Sequence, residues 1–556
     1  MGAPDIPAAK RAGLNVDLDR LAAEGDSWLT AEDRYALKTH GVCAQVQPGV
    51  FMVRCRVPAG TLEGEQARGL AEIADRYGHG WLHLTTRQDV ELHHVEATQV
   101  RDVLSAVEAT GLNNRSACGH TMRNVMACPD AGVGLEEPFD CRPDAEAVST
   151  AILARSAELN CQLPSRINFA FGGCPACRAH ARINDGGFES RMVDGRAGYR
   201  LWAGGSLGTV PVLAIELADF LPRAEAVAAA EALVEVFVTH GDLDNPKKGR
   251  MKFVMERIGA EMFRAAFDDA LVRARRRGGA GPVGAEVPAP ADFARVLAVV
   301  PPGGWAGGVR PQRQQGRAMV TVNVPLGDLD SDDMRLLASL APMGSGRLHL
   351  TRNQNAMFRD VLVHDIPRLR RALLAHGLCA EGADGATDVR ACTGSAVCSL
   401  GITAAPSVGA RLLSHPALAR NTGLRLHVSG CPNSCAQHQA ADLGLSGAKV
   451  RIGGQVRLGY HVWLGADLGW GRLGVLAGRV AEEDVEDTVG SLVGCWEALR
   501  TAGESMAGTI SRIGIEAFCA HLESVASGFE AGGDEPDRLP AGSAPAVSPP
   551  LEAALV

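Results

Sequence analysis

The chain has 556 residues, 46% of them hydrophobic and 21% charged, with a formal net charge of −9. That length excludes a single compact core, and the ordinary globular composition excludes a disordered, coiled-coil or collagen-like chain for the bulk of the molecule. The acidic balance argues against a general nucleic-acid binder, and no apolar run reaches the roughly 18 residues that span a bilayer.

In chain order, residues 1–34 read as an N-terminal extension. Its start, Met1-Gly2-Ala3-Pro4-Asp5-Ile6, lacks the basic and apolar regions of a secretory leader and the Ser or Thr of a myristoylation site. A cytoplasmic protein without membrane attachment is expected. Short β-rich segments bounded by Gly or Pro follow: VRCRVPAG (53–60), WLHLTTRQ (81–88), INFAFGGCPAC (167–177) and YRLWAGGSLGTV (199–210). Apolar spacing of three and four residues predicts a helix over 224–240. The stretch 273–293 mixes a basic run with Gly and Pro and reads as a linker. Beyond it come VTVNVPLG (320–327), RLHLTRNQ (347–354), a predicted helix over 366–377, LHVSGCPNSC (426–435) and YHVWLGADLGWG (460–471). The Gly-, Pro- and Ala-rich tail, 526–556, reads as disordered.

The segments after the linker repeat those before it. Val53 answers Val320, Leu82 answers Leu348, Cys174 answers Cys431 and Tyr199 answers Tyr460, at offsets of 267, 266, 257 and 261 residues. Four blocks in one order at nearly one offset indicate an internal duplication. The expected units are 35–112 and 113–272 in the first half and 294–380 and 381–525 in the second.

Fifteen cysteines, an odd number, do not form a secreted disulfide framework. Cys392 and Cys398, then Cys431 and Cys435, form two closely spaced pairs. Four thiolates on loops with Gly430, Pro432, Gly394 and Ser395 around them suit an iron–sulfur cube. A zinc site built from the same four, or no metal at all, are the other readings that spacing leaves open. Cys118, Cys128, Cys174 and Cys177 form a second group in the first half. It reads either as a second cluster or zinc site, or as residual cysteines of a duplicated loop.

The segments CTGSAVC (392–398) and GCPNSC (430–435), with VRCRVPAG, LTTRQ, MRNVMACP, WAGGSLG and LTRNQ in order, resemble the assimilatory nitrite and sulfite reductases. The likeness runs from about residue 35 to 520. It implies an α+β fold, duplicated about a pseudo-twofold axis, with ferredoxin-like half-domains and two larger sirohaem/cluster-type domains. It implies a [4Fe–4S] cluster on Cys392, Cys398, Cys431 and Cys435, the last also bridging to a sirohaem iron. Arg87 and Arg123 match the distal arginines that bind the substrate anion. Arg56, Gln88, Lys247, Lys248, Arg250 and Lys252 would lie near the macrocycle's carboxylates.

The family's pattern after Leu-Pro is R-K-x-K in sulfite reductases and R-K-x-N in nitrite reductases. Here Arg166 departs from the usual Lys and Asn168 is of the nitrite type. Guanidinium scarcely releases a proton, which puts proton delivery at that position in doubt. Six-electron reduction of nitrite to ammonia is expected, with sulfite to sulfide as the rival. A precorrin-3B synthase-like monooxygenase and a zinc-stapled structural protein are more distant alternatives. No dinucleotide or flavin pattern is present, so electrons would come from reduced ferredoxin or a similar carrier to what is expected to be a monomer.

Overall fold

The structure is a computed structural model that describes residues 4–174, 176, 179–278, 291–305, 307–420, 423–526 and 528–532. It holds four sheets, two for each half of the chain. In the first half, Val42–Ala44, Val50–Cys55, Val90–Glu96 and Trp81–Leu84 lie side by side as antiparallel strands. Their equivalents are Val309–Pro311, Arg317–Val322, Ala356–Leu362 and Arg347–Leu350.

Each of these sheets is completed by the other half. Asp328–Asp330 pairs with Trp81–Leu84, and Thr61–Glu63 pairs with Arg347–Leu350. The exchange covers one edge of each sheet, which would otherwise present unpaired backbone groups. The helices that follow the exchanged strands, Gly64–Tyr77 and Ser331–Leu340, pack on each other. A single core results, from Leu21 to Ala380, and it contains residues of both halves.

The other two sheets are mixed. In the first, Met122–Ala127, Ile167–Gly172 and Gly186–Val193 run parallel, and Arg196–Ala203 and Ile215–Pro222 are antiparallel additions. In the second, Arg390–Ala391, Leu426–Ser429 and Leu443–Ile452 run parallel, followed by Gln455–Leu464 and Val475–Ala481. Helices Ala226–His240 and Val485–Leu499 bury against their respective cores.

Two boundaries differ from the sequence reading. Residues 273–277 continue the helix Ala260–Arg277, whose buried Phe263, Phe267, Ala270, Leu271 and Ala274 keep it on the core. Of the expected linker, 279–290 lie outside the described residues. In the expected tail, Phe529–Ala531 forms an edge strand beside Val475–Ala481, anchored by the buried Phe529 ring; 533–556 lie outside the described residues. The N-terminal extension carries helices Ile6–Ala12 and Leu18–Glu24, and the ammonium of buried Lys10 donates to the carbonyls of His120 and Leu163.

The duplication is sharpest in two five-residue loops. In Thr85–Asp89, Thr85 N donates to Asp89 O, and Thr85 Oγ1 accepts from the amides of Arg87 and Asp89. In Thr351–Asn355 the same three bonds recur. The fourth residue of each, Gln88 and Gln354, has a left-handed backbone, φ 59° and 62°. Gln88 Nε2 donates to Ala127 O at 2.9 Å and Leu350 O at 2.6 Å. Gln354 Nε2 donates to Ala391 O at 2.9 Å and Leu84 O at 3.0 Å. Each amide thus joins the edge strand of its own half's mixed sheet to a strand of the other half's antiparallel sheet. Gly60 and Gly327 lie against these amides with φ of 66° and 80°, where a Cβ would strike the Gln side chain.

Gln88→Ala and Gln354→Ala are each expected to destabilise the protein by about 2–4 kcal/mol, since two buried carbonyls are orphaned at once. A lowered urea midpoint with an unchanged slope would show it. A shift of a few tenths of a kcal/mol would mean that the carbonyls find other donors.

Candidate active site

The first-half loop Thr85–Asp89 lies over the second-half loop that carries Cys435. Thr86 Oγ1 donates to the Cys435 carbonyl at 2.8 Å. The cleft between them is lined by Arg87, Arg166, Asn168, Arg250, Arg352 and Ser434, among others. Neither Arg87 nor Arg166 has a carboxylate or carbonyl partner for its guanidinium among the described residues. Burial, then the nearby Arg123 and Arg54, holds Arg87 down to about 10. Arg166 is lowered well below the usual guanidinium range, first by the charge of Arg250 and then by burial. Burial likewise lowers Arg123. A desolvated cleft with cations in excess is a site built for an anion.

Asn168 and Asp185 set its floor. The backbone and side-chain N–H groups of Asn168 both donate to Asp185 Oδ2 at 2.9 Å. Arg250 lays Nη2 on both oxygens of that fully buried carboxylate, at 3.1 and 3.0 Å. In the second half the equivalent pair is Arg425 and Asp442, where Arg425 itself supplies both the backbone and the guanidinium bonds. The short amide at 168 leaves the carboxylate for Arg250, which arrives from a different element.

Cys392 follows strand Arg390–Ala391, and Cys431 follows Leu426–Ser429. The Gly430 amide donates to Cys392 Sγ at 3.1 Å. Cys392, Cys398 and Cys431 each feel the charge of Cys435. Burial pushes the Cys392 thiol up to about 12 and the Cys431 thiol up to about 11. Yet no three of the four sulfurs lie within 4.8 Å of one another, whereas one such set of donors occurs elsewhere among the described residues. Around a single tetrahedral zinc, sulfurs at about 2.3 Å from the metal would be about 3.8 Å apart. The four thiols therefore do not suit one tetrahedral ion, while the cationic cleft beside them fits a polycarboxylate.

The model for the nitrite and sulphite reductase 4Fe-4S domain matches residues 118–274 and 382–528. That for the nitrite/sulfite reductase ferredoxin-like half domain matches 44–110 and 310–376. The chain belongs to the nitrite and sulfite reductase family. Among curated relatives in this family, the ferredoxin–nitrite reductase of Synechococcus elongatus is 32% identical over 466 residues, 81% of this chain and 86% of the relative. The assimilatory ferredoxin-dependent nitrite reductase of Haloferax mediterranei is 30% identical, over 91% and 89% of the two chains. The structure of the Mycobacterium tuberculosis NirA protein shares the fold with a TM-score of 0.76, at 24% identity, over 93% of this chain and 98% of that one. Among the described residues no helix is long and apolar enough to cross a membrane.

Several residues that the family resemblance placed at the macrocycle have other partners. Arg56, fully buried, donates to the carbonyls of Met122, Arg115 and Arg123 and to Ser149 Oγ. Its equivalent Asn323 does the same work on the carbonyls of Glu381 and Thr387. Gln88 is committed to the duplication interface as described. Lys247 and Lys248 stand exposed on the turn Pro246–Lys248, outside the cleft lining. Lys252 donates to the Val210 carbonyl, and burial, then Arg250, holds its ammonium down to about 8. Arg123 donates to the carbonyls of Gly119 and Ala117. The sequence reading missed Arg352, Ser434 and Gln437 in the lining. The Gln437 amide oxygen lies 2.7 Å from Nδ1 of its first-half equivalent, His180.

The first-half cysteines do not form one group. Cys118 interacts with Cys43, while Cys128 lies 3.6 Å from Cys174. Cys177 lies outside the described residues.

Asp388, on the loop that leads to Cys392, accepts from Asn355 Nδ2 at 2.6 Å and Asp384 N at 2.7 Å. Burial pushes its carboxyl up to about 7 from 3.8. Between those values the folded chain holds a proton that the unfolded chain has released. Its contribution to stability therefore falls as pH rises through that window. Asp388→Asn is expected to gain on the wild type by about 2 kcal/mol between pH 5 and pH 8 in urea denaturation. An equal pH dependence in both proteins would assign the titration elsewhere.

Proposed function

We propose that the protein reduces nitrite to ammonia with six electrons from reduced ferredoxin or a similar carrier. Cys392, Cys398, Cys431 and Cys435 would hold a [4Fe–4S] cluster, and Cys435 would also join it to a sirohaem. The observation that carries this reading is the pair of desolvated guanidinium groups, Arg87 and Arg166, without anionic partners in the cleft that adjoins Cys435. The coupled sirohaem and cluster, when bound, supply the substrate's iron position and electrons delivered one at a time.

The chain's own residues bind and orient the anion. Arg87 and Arg166 offer forked donors to a planar oxyanion, and Arg123 adds its charge behind them. The mutual repulsion of Arg166 and Arg250 is relieved when negative charge enters between them. Asp185 cancels one positive charge through Arg250, and Asn168 adds none. That balance suits a monoanion such as nitrite better than a dianion, in accord with the relatives named above.

Turnover of the spectrally verified holoprotein with reduced methyl viologen tests this. The catalytic efficiency for nitrite is expected to exceed that for sulfite by at least about tenfold, or about 1.4 kcal/mol in the barrier. Asn168→Lys, which sets an ammonium on Asp185 and releases the fork of Arg250, is expected to narrow that ratio by about tenfold or more. A preference for sulfite in the unaltered protein would overturn the assignment. Turnover of neither acceptor would overturn the reductase reading itself.

A further inference from the structure

The first half retains the strand ends that place cysteines in the second. Cys128 follows Met122–Ala127 as Cys392 follows Arg390–Ala391. The Cys128 amide donates to Phe171 O at 2.7 Å, and the Cys392 amide to the equivalent Val428 O at 3.2 Å. Cys174 follows Ile167–Gly172 as Cys431 follows Leu426–Ser429. Here, however, the donors stand close together: one sulfur of each of Cys128 and Cys174 and a carboxylate oxygen of Glu137 all lie within 4.8 Å of one another.

Glu137 is the second observation. It is 1% exposed, and neither of its oxygens accepts a hydrogen bond from nitrogen or hydroxyl. What faces it is the Cys128 thiol. A buried carboxylate with only a weak thiol donor is costly, and the partner that would satisfy it together with two thiolates is a cation. The spacing is that of a single ion and too tight for a cube. Two sulfurs and one oxygen select a borderline-soft divalent metal, foremost zinc, over calcium or magnesium.

We propose that Cys128, Glu137 and Cys174 bind one zinc ion, with water in the fourth position of the tetrahedron, separate from the cluster and cleft of the second half. The ion would tie the ends of two parallel strands to the loop 130–137, whose Val133 and Glu137 carbonyls accept from Arg313 of the other half. A zinc here would thus brace the junction of the two halves. It is separate from the reaction proposed above, because none of its three ligands lines the cleft.

The test is metal analysis of the holoprotein purified from zinc-supplemented cells. About one equivalent of zinc per chain is expected beside the iron of the cofactors. Zinc-edge X-ray absorption of that protein should show two sulfurs at about 2.3 Å and two lighter donors at about 2.0–2.2 Å. Glu137→Gln and Cys174→Ser should each lower zinc occupancy on dialysis by about tenfold or more, with iron content and visible spectrum unchanged. Zinc below about a tenth of an equivalent would overturn the proposal, as would a disulfide between Cys128 and Cys174 in zinc-free protein. So would a first shell of four sulfurs or of none, which the unaltered protein reports even where a variant fails to fold.

Discussion

The exchange of two three-residue strands is the constraint on which the rest of the molecule depends. Because Asp328–Asp330 sits beside Trp81–Leu84, the loop that immediately follows Trp81–Leu84 is fixed with respect to the second half. That loop presents Arg87 to the cleft and hands the Thr86 hydroxyl to the Cys435 carbonyl. The reciprocal pair, Thr61–Glu63 beside Arg347–Leu350, fixes Arg352 in the same way. A cleft between two halves joined only by a linker would have to assemble its cations from independently moving parts. Here backbone ladders assemble them before any ligand arrives, so ordering costs little on binding.

Within that frame, the residues the two halves share are mostly architecture, and those in which they differ are mostly chemistry. Gln88 and Gln354 are shared and close the interface with matched bonds. Thr85 and Thr351 are shared and tie the loops. Arg87 faces Asn353 across the duplication, and Thr86 faces Arg352. Asn353 turns to Asp384, whereas Arg87 has no such anion and enters the cleft. Position 168 follows the same logic: its second-half equivalent, Arg425, neutralises Asp442 with its own guanidinium, while Asn168 leaves Asp185 to recruit Arg250.

This distinction also explains what was legible beforehand. The duplication, the strands and the cysteine-bearing loops could be read from recurring blocks, because close packing of two like halves keeps apolar and turn residues at one offset. The cleft arginines at 87 and 166 could be read from the resemblance and the unusual Arg after Leu-Pro-Ser. The resemblance places Gln88 and Arg56 near the macrocycle's carboxylates, whereas the structure gives both side chains to backbone carbonyls. The repeat of Gln88 as Gln354 was the available signal that it serves the fold. Arg352 lies in a block that reads as a mere repeat and Gln437 lies beyond the end of one, and their arrival in the cleft depends on long-range placement that no local pattern encodes. Glu137 carries no motif and becomes notable only when its burial is seen.

The cleft's excess of positive charge has a structural cost that locates the stabilising work elsewhere. Arg87, Arg166 and Arg123 are buried without full compensation, and each would gain by moving to water. They cannot, because the strand exchange and a glutamine bridge hold the loop that carries Arg87, and the first half's mixed sheet holds Arg123 and Arg166. An anion that enters the cleft therefore recovers energy already stored in the folded chain, and binding it stabilises the fold by the same free energy. Affinity for a small, weakly interacting oxyanion arises in this way from the rigidity of the duplicated scaffold as much as from the arginines themselves. The first half shows what the same strand ends do without that requirement: Cys128 and Cys174 draw together beside the Glu137 carboxylate, on a loop that serves the junction.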